Sequence, residues 1–135
     1  MANTDQPGDL KYATTHEWVR VDGDEATVGI SDYAQDNLHE VVFVDLPWNG
    51  VGTLEVKAGE KFGEIDSVKS NSELVSPVSG TLIAVNDVLK DAPETVNEQP
   101  YGDGWMLRVR LSNPSELDNL MDAAAYTEFL KTAGH

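Results

Sequence analysis

Short β-prone runs, cut apart by turn residues at close intervals, fill the chain from residue 17 to residue 111 and confine it to architectures made of small antiparallel strands. "EWVRV" at 17–21 alternates, with Trp18 and Arg20 on one side and Val19 and Val21 on the other. "DGDE" at 22–25 supplies a turn, and "ATVGI" at 26–30 closes a hairpin. Ser31 can cap a short helix running to Leu38, with Tyr33, Ala34 and Leu38 as its apolar stripe. "EVVFVDL" at 40–46 is β-branched and aromatic through its middle, and Pro47 and Gly50 end it. Beyond it, Ala58-Gly59, Ser79-Gly80, Asn86-Asp87 and Pro100-Tyr101-Gly102 mark turns, and "WMLRVRL" at 105–111 alternates again. This spacing predicts a mainly β fold, a sandwich or flattened barrel of antiparallel sheets, and no long helix interrupts it to suggest a doubly wound α/β fold.

The ends differ from this middle. Residues 1–10 are polar, contain Pro7-Gly8 and read as a flexible arm. At the other end, Asn113, Pro114 and Glu116 offer a cap, a proline for the first helical position and an acid three residues after the cap. Leu117, Leu120, Met121, Ala124, Tyr126, Phe129 and Leu130 then recur at helical spacing, so residues 113–131 should form one or two short helices packed on a β core spanning 11–111. A length of 135 residues suits a single domain.

Several kinds of chemistry are excluded by what is missing. With no cysteine there is no disulfide, thiolate metal site or cysteine nucleophile. The chain has no GxSxG, GxxxxGK[ST], GxGxxG or HExxH, and His16, His39 and His135 have no metal-ligand spacing to one another. Asp22-Gly23-Asp24-Glu25 fails the EF-hand pattern, because Ala26 and Thr27 stand where a ligand and the turn glycine are needed. No metal site is expected. The 24 acids outnumber the 9 Lys and Arg, and the resulting net charge of −15 argues against nucleic acid or an anionic membrane as a partner. That charge fits solubility or a salty cytosol, and fits equally well complementarity to more basic proteins. The start "MANTDQPGDL" has neither a basic n-region with an apolar h-region nor the Arg-rich character of a presequence. A cytoplasmic bacterial protein is therefore expected, or a mature form of the mitochondrial matrix.

One base remains as a chemical handle. Lys69 lies in "FGEIDSVKSNSELVSPVSG", between the β-prone segments "KFGEI" and "ELVSPVSGTLIAV", and Ser70-Asn71 tolerate the backbone angles of a tight turn. A lone lysine in a turn is most often only a solvated charge. Here the flanking strands place it at the tip of a hairpin, where its amine is presented away from the sheet.

The segment "GEIDSVKSNSELVSPVSGTLIAVN" resembles the lipoyl-lysine hairpin of the glycine cleavage system H proteins. "HEWVRVDGDEATVGISDYAQDNL", "VVFVDLP" and "PYGDGWMLRV" resemble other segments of that family in the same order, and the resemblance covers residues 11–131. Biotin carriers place methionines around their lysine, and lipoyl domains of 2-oxoacid dehydrogenases usually have an acid just before it. Val68 and Ser70 flank Lys69 here, which is closer to the H proteins.

The resemblance implies a lipoyl/biotinyl-domain-like hammerhead and a carrier rather than an enzyme. Lipoate would be attached to Lys69, and the attaching enzyme would read Asp66, Ser67 and Val68. The arm would dock in a cleft lined by Thr15, Glu17 and Glu73, whose carboxylates and hydroxyl can hold a cationic amine. The implied partners are a glycine decarboxylase (P protein), an aminomethyltransferase (T protein), a dihydrolipoyl dehydrogenase (L protein) and a lipoate ligase or transferase, served by a monomer. Asp66 replaces a commoner glutamate, Ser70-Asn71 replace a more usual small apolar pair, and Asn37 stands where the family often has histidine. Any contact of that imidazole is not carried over. Two other readings stay open: an H-like relay that donates lipoate to other lipoyl domains, and a binding module that keeps the fold and leaves Lys69 unmodified.

Overall fold

The structure, a computed structural model, describes residues 10–133. The expected arm at residues 1–9, and His135, lie outside the described residues. Leu10, assigned to that arm from its neighbours, is instead 2% exposed and packs with Tyr12, Trp18 and Tyr126.

In chain order the elements are β1 (Lys11–Tyr12), β2 (Glu17–Asp22), β3 (Glu25–Ile30), α1 (Asp32–Leu38), β4 (Val41–Asp45), β5 (Glu55–Val56), β6 (Lys61–Ser67), β7 (Asn71–Val75) and β8 (Gly80–Val85). Then come α2 (Val88–Asp91), α3 (Thr95–Glu98), β9 (Leu107–Leu111), a 3-10 helix (Pro114–Asn119) and α4 (Ala123–Ala133). The strands form two antiparallel sheets, one ordered β1-β2-β3-β9-β8-β5 and the other β4-β6-β7. Being separate, they make a sandwich rather than a closed barrel.

Alternation explains how the sheets face each other. Val19, Val28, Leu82, Leu107 and Val109 of the larger sheet and Val44, Ile65 and Leu74 of the smaller one are all at most 2% exposed and share one core cluster. Both faces of β2 are buried, because α4 and the segment before β1 bring Tyr126 and Leu10 over Trp18, whose indole donates to the Pro100 carbonyl at 2.8 Å. Gly29 pairs with Trp18 across β2 and β3, and a Cβ there would meet the indole at 2.6 Å, so the ring needs a glycine beneath it.

The helical signals divide. The Ser31 hydroxyl accepts from the Ala34 amide and starts α1 as expected. Asn113 makes no side-chain cap: its Oδ1 accepts from Ser115, while the Glu116 carboxylate takes the Ser79 amide and hydroxyl, both at 2.7 Å. The 3-10 helix thus spends its acid on tethering the β7–β8 connection. Asp122 accepts from Ala125 at the start of α4 instead. Ala124, placed in the apolar stripe by its spacing, is exposed, and Ala123 takes its place against the aromatic cluster. Asn86-Asp87, read as a turn, leads directly into α2, whose four residues are too few to show a period.

Candidate functional site

The stem of the β6–β7 hairpin is anchored by Ile65 and Leu74, which face the core, and its last pair is Asp66 with Asn71. The Asn71 amide nitrogen donates to Asp66 Oδ1, and also to Glu64 Oε1 at 3.3 Å. Asp66 and Asn71, two of the departures noted in the sequence, therefore face each other and are bonded.

At the tip, Ser67 organises the turn. Its amide donates to the Ser70 carbonyl at 2.8 Å, and its hydroxyl accepts from the amides of Lys69 and Ser70, each at 3.1 Å. Val68 is 66% exposed, and its amide donates to the Glu40 carbonyl at 3.0 Å. Lys69 is exposed, and its Nζ donates to the Asn37 carbonyl at the end of α1 at 3.1 Å.

The tip stands beside a cleft of about 670 Å³ that Lys69 helps to line. Thr15, Glu17 and Glu73 line the same cleft, together with His16, Asn37 and Ser70 and the apolar side chains of Ile30, Leu38 and Ile65. Glu17 is 2% exposed. Its Oε1 accepts from the Thr15 hydroxyl and its Oε2 from the Val75 amide at 3.0 Å. Burial outweighs these bonds and pushes its pKa up to about 7, so the carboxyl changes charge near neutrality. Glu73 is placed differently, on an exposed side chain whose carboxylate lies 3.7 Å from Lys61 Nζ.

His16 was set aside in the sequence for want of metal spacing, yet it is part of the wall. Its backbone takes a positive φ of 78°, and its Nδ1 is 2.8 Å from the Tyr126 hydroxyl, which lies 2.7 Å from that of Ser31. Burial pushes the imidazole below its ordinary pKa, so the neutral ring is favoured. Its place at the head of the segment "HEWVRVDGDEATVGISDYAQDNL", which resembles the family, was the available signal. Among the described residues no group of three or more His, Cys, Asp and Glu side chains could hold a metal ion.

Two packed antiparallel sheets that raise one lysine on a hairpin tip beside a ligand-sized cleft define the class of swinging-arm carrier domains. The chain belongs to the glycine cleavage H-protein family, whose family model it matches over residues 10–133. It is 53% identical over 131 residues to the glycine cleavage system H protein of Symbiobacterium thermophilum, covering 97% of this chain and 98% of that one. It is also 53% identical to the mitochondrial glycine cleavage system H protein of Flaveria pringlei, covering 89% of this chain and 72% of that one. The crystal structure of a glycine cleavage system H protein from Mycobacterium marinum superposes with a TM-score of 0.81 at 35% identity, over 96% of this chain and all of the other.

Proposed function

We propose that this chain is the lipoyl carrier of a glycine cleavage system, with lipoate attached to Lys69. Membership in the H-protein family carries the reading of a carrier component that is not itself an enzyme. The assignment to Lys69 is supported by one observation above the rest: its amine stands at a hairpin tip, exposed, on the rim of the cleft. The cleft's volume lies within the range of about 300–1,000 Å³ usual for small-molecule sites, and it joins apolar walls to a few polar groups, which suits an acyl chain with a polar end.

When attached, lipoate supplies a dithiolane able to carry an aminomethyl group and a pair of electrons. The chain's own residues supply presentation and shelter. Lys69 must leave the Asn37 carbonyl and give up a proton before its nitrogen can be acylated, and the amide formed has no charge. Thr15 and Glu17 can hold a cationic amine inside the cleft. As pH rises through about 7 Glu17 becomes ionised, so this hold strengthens. The partners follow from the reading: a lipoate ligase or transferase to load Lys69, then glycine decarboxylase, aminomethyltransferase and dihydrolipoyl dehydrogenase. The working compartment is the cytoplasm, or the mitochondrial matrix for an organellar form.

Glycine–bicarbonate exchange by glycine decarboxylase, reconstituted with the lipoylated protein, tests this function. The carrier reading expects exchange that depends on added protein and saturates with it. Lipoylated protein that supports none would favour the relay.

A further inference from the structure

Asn97 lies on α3, far from Lys69 in the chain, and is not among the residues lining the cleft. All of its side-chain bonds go to one place. Its Oδ1 accepts from the Val41 amide at 2.8 Å, and its Nδ2 donates to the His39 carbonyl at 2.6 Å and to Gln35 Oε1 at 2.9 Å. The partners fix the orientation of the amide, since a backbone N–H can only donate and a carbonyl can only accept. The connector they clamp is strained: His39 sits at φ 66°, a left-handed conformation that side chains other than glycine adopt rarely.

The same connector carries the hairpin tip. The Glu40 carbonyl, between the two clamped residues, accepts from the Val68 amide at 3.0 Å, next to the lysine. Asn37, at the end of α1, accepts from Lys69 Nζ, and Val41 begins β4 opposite Ser67. Three contacts of the tip with the body of the protein thus fall on residues 37–41, the segment that Asn97 holds from behind.

We propose that Asn97 is a positioning residue for Lys69, setting through residues 39–41 where the hairpin tip stands and so how well an acylating enzyme engages the lysine. This rests on the reading of Lys69 as the attachment site. The clamp acts on the backbone beside the lysine and leaves the chemistry of the amine alone. A small reagent that needs no docking should therefore not feel its loss.

The test compares full-length wild type, Asn97→Ala and Asn97→Asp, the last keeping an acceptor for Val41 but losing both donors. Lipoylation by a lipoate ligase should lose about tenfold in kcat/KM in Asn97→Ala, since small displacements of a reacting group are costly in rate, with a smaller loss in Asn97→Asp. Acetylation of Lys69 by a small activated ester, read by peptide mass, should keep its wild-type rate. Hydrogen exchange of the Val68 amide should speed up, while the Leu82 and Met106 amides, bonded to Leu54 and Val28, stay protected. The proposal is overturned if Val68 exchange or lipoylation is unchanged in both variants. Equal loosening of Val68, Leu82 and Met106, or acetylation falling in step with lipoylation, also overturns it. If Asn97→Ala fails to fold, Asn97→Asp carries the same measurements. Wild type that gains no lipoyl mass would sink the Lys69 reading instead, and the exchange data would still decide whether the clamp exists.

Discussion

The β2–β3 and β6–β7 hairpins share a topology and differ in how their ends are held. β2–β3 pairs through to Asp22 and Glu25 and turns on Gly23-Asp24, with a positive φ at Gly23 alone, the pattern of a type II′ turn. Nothing lies within 4 Å of where a Gly23 Cβ would be, and the Asp24 carbonyl accepts from the Leu111 amide at 2.8 Å, so this end turns on its glycine and is tied only to the neighbouring strand of its own sheet. β6–β7 has no glycine at its tip. Its turn is held by the Ser67 hydroxyl and by the Glu40 carbonyl from another part of the chain. A hairpin that only has to connect two strands can turn on a glycine, whereas the one that presents a residue is ordered by a side chain within the turn and by the connector before β4. Glu17 joins the two, since it begins β2 and binds the Val75 amide that ends β7.

If this contrast holds, damage to β2 should cost stability and damage to the β6–β7 tip should cost presentation. Trp18→Ala, which empties a fully buried site, should lose about 3–5 kcal/mol in urea unfolding. A loss under about 1 kcal/mol would mean that β2 is not the framework it is taken for.

Glu17→Gln comes next, through pH. The folded pKa of about 7 lies above the ordinary 4.5, so between these values the folded protein binds the extra proton. Wild-type stability should therefore fall as pH rises from about 4.5 to about 7 and stay at the lower level above. Glu17→Gln should remove this fall, gaining up to about 3 kcal/mol on wild type at about pH 8 compared with about pH 4, as measured by denaturation at both. An identical pH profile in both proteins would deny the cost of the buried charge.

Ser67→Ala should have the smallest effect on stability, about 1 kcal/mol or less, because its bonds lie at an exposed tip. Its enzymatic lipoylation should nonetheless slow severalfold, an expectation from the cost of misplacing a reacting group. Unchanged lipoylation kinetics would show that the tip needs no internal order.

The parts of the fold legible in sequence are those with a period or a local turn code. β2 and β9 follow from alternation, β4 from its β-branched run, β3, β6 and β7 from β-prone segments beside turn residues, and α1 from Ser31, because these signals lie within a few residues of what they specify. α2 and α3 have four residues each and no period to read, and with them Asn97 stayed hidden. Burial of both faces of β2 depends on α4, a helix from the other end of the chain.

The site divides similarly. Lys69 was visible as the one base in its run, whereas the gathering of Thr15, Glu17 and Glu73 came only from matching a family residue by residue. No spacing rule joins Thr15 and Glu17, at the start of β2, to Glu73 on β7. The clamp from Asn97 through His39 and Glu40 to Val68 uses backbone atoms at most steps, and backbone atoms leave no mark on sequence.

The most direct measurement is intact mass with peptide mapping after co-expression with a lipoate ligase and supplied lipoate, for wild type and Lys69→Arg. Wild type should gain a single lipoyl mass, confined to the peptide carrying Lys69, and Lys69→Arg should gain none. No gain in wild type, or an equal gain in both proteins, would contradict the hairpin lysine as the site of the arm.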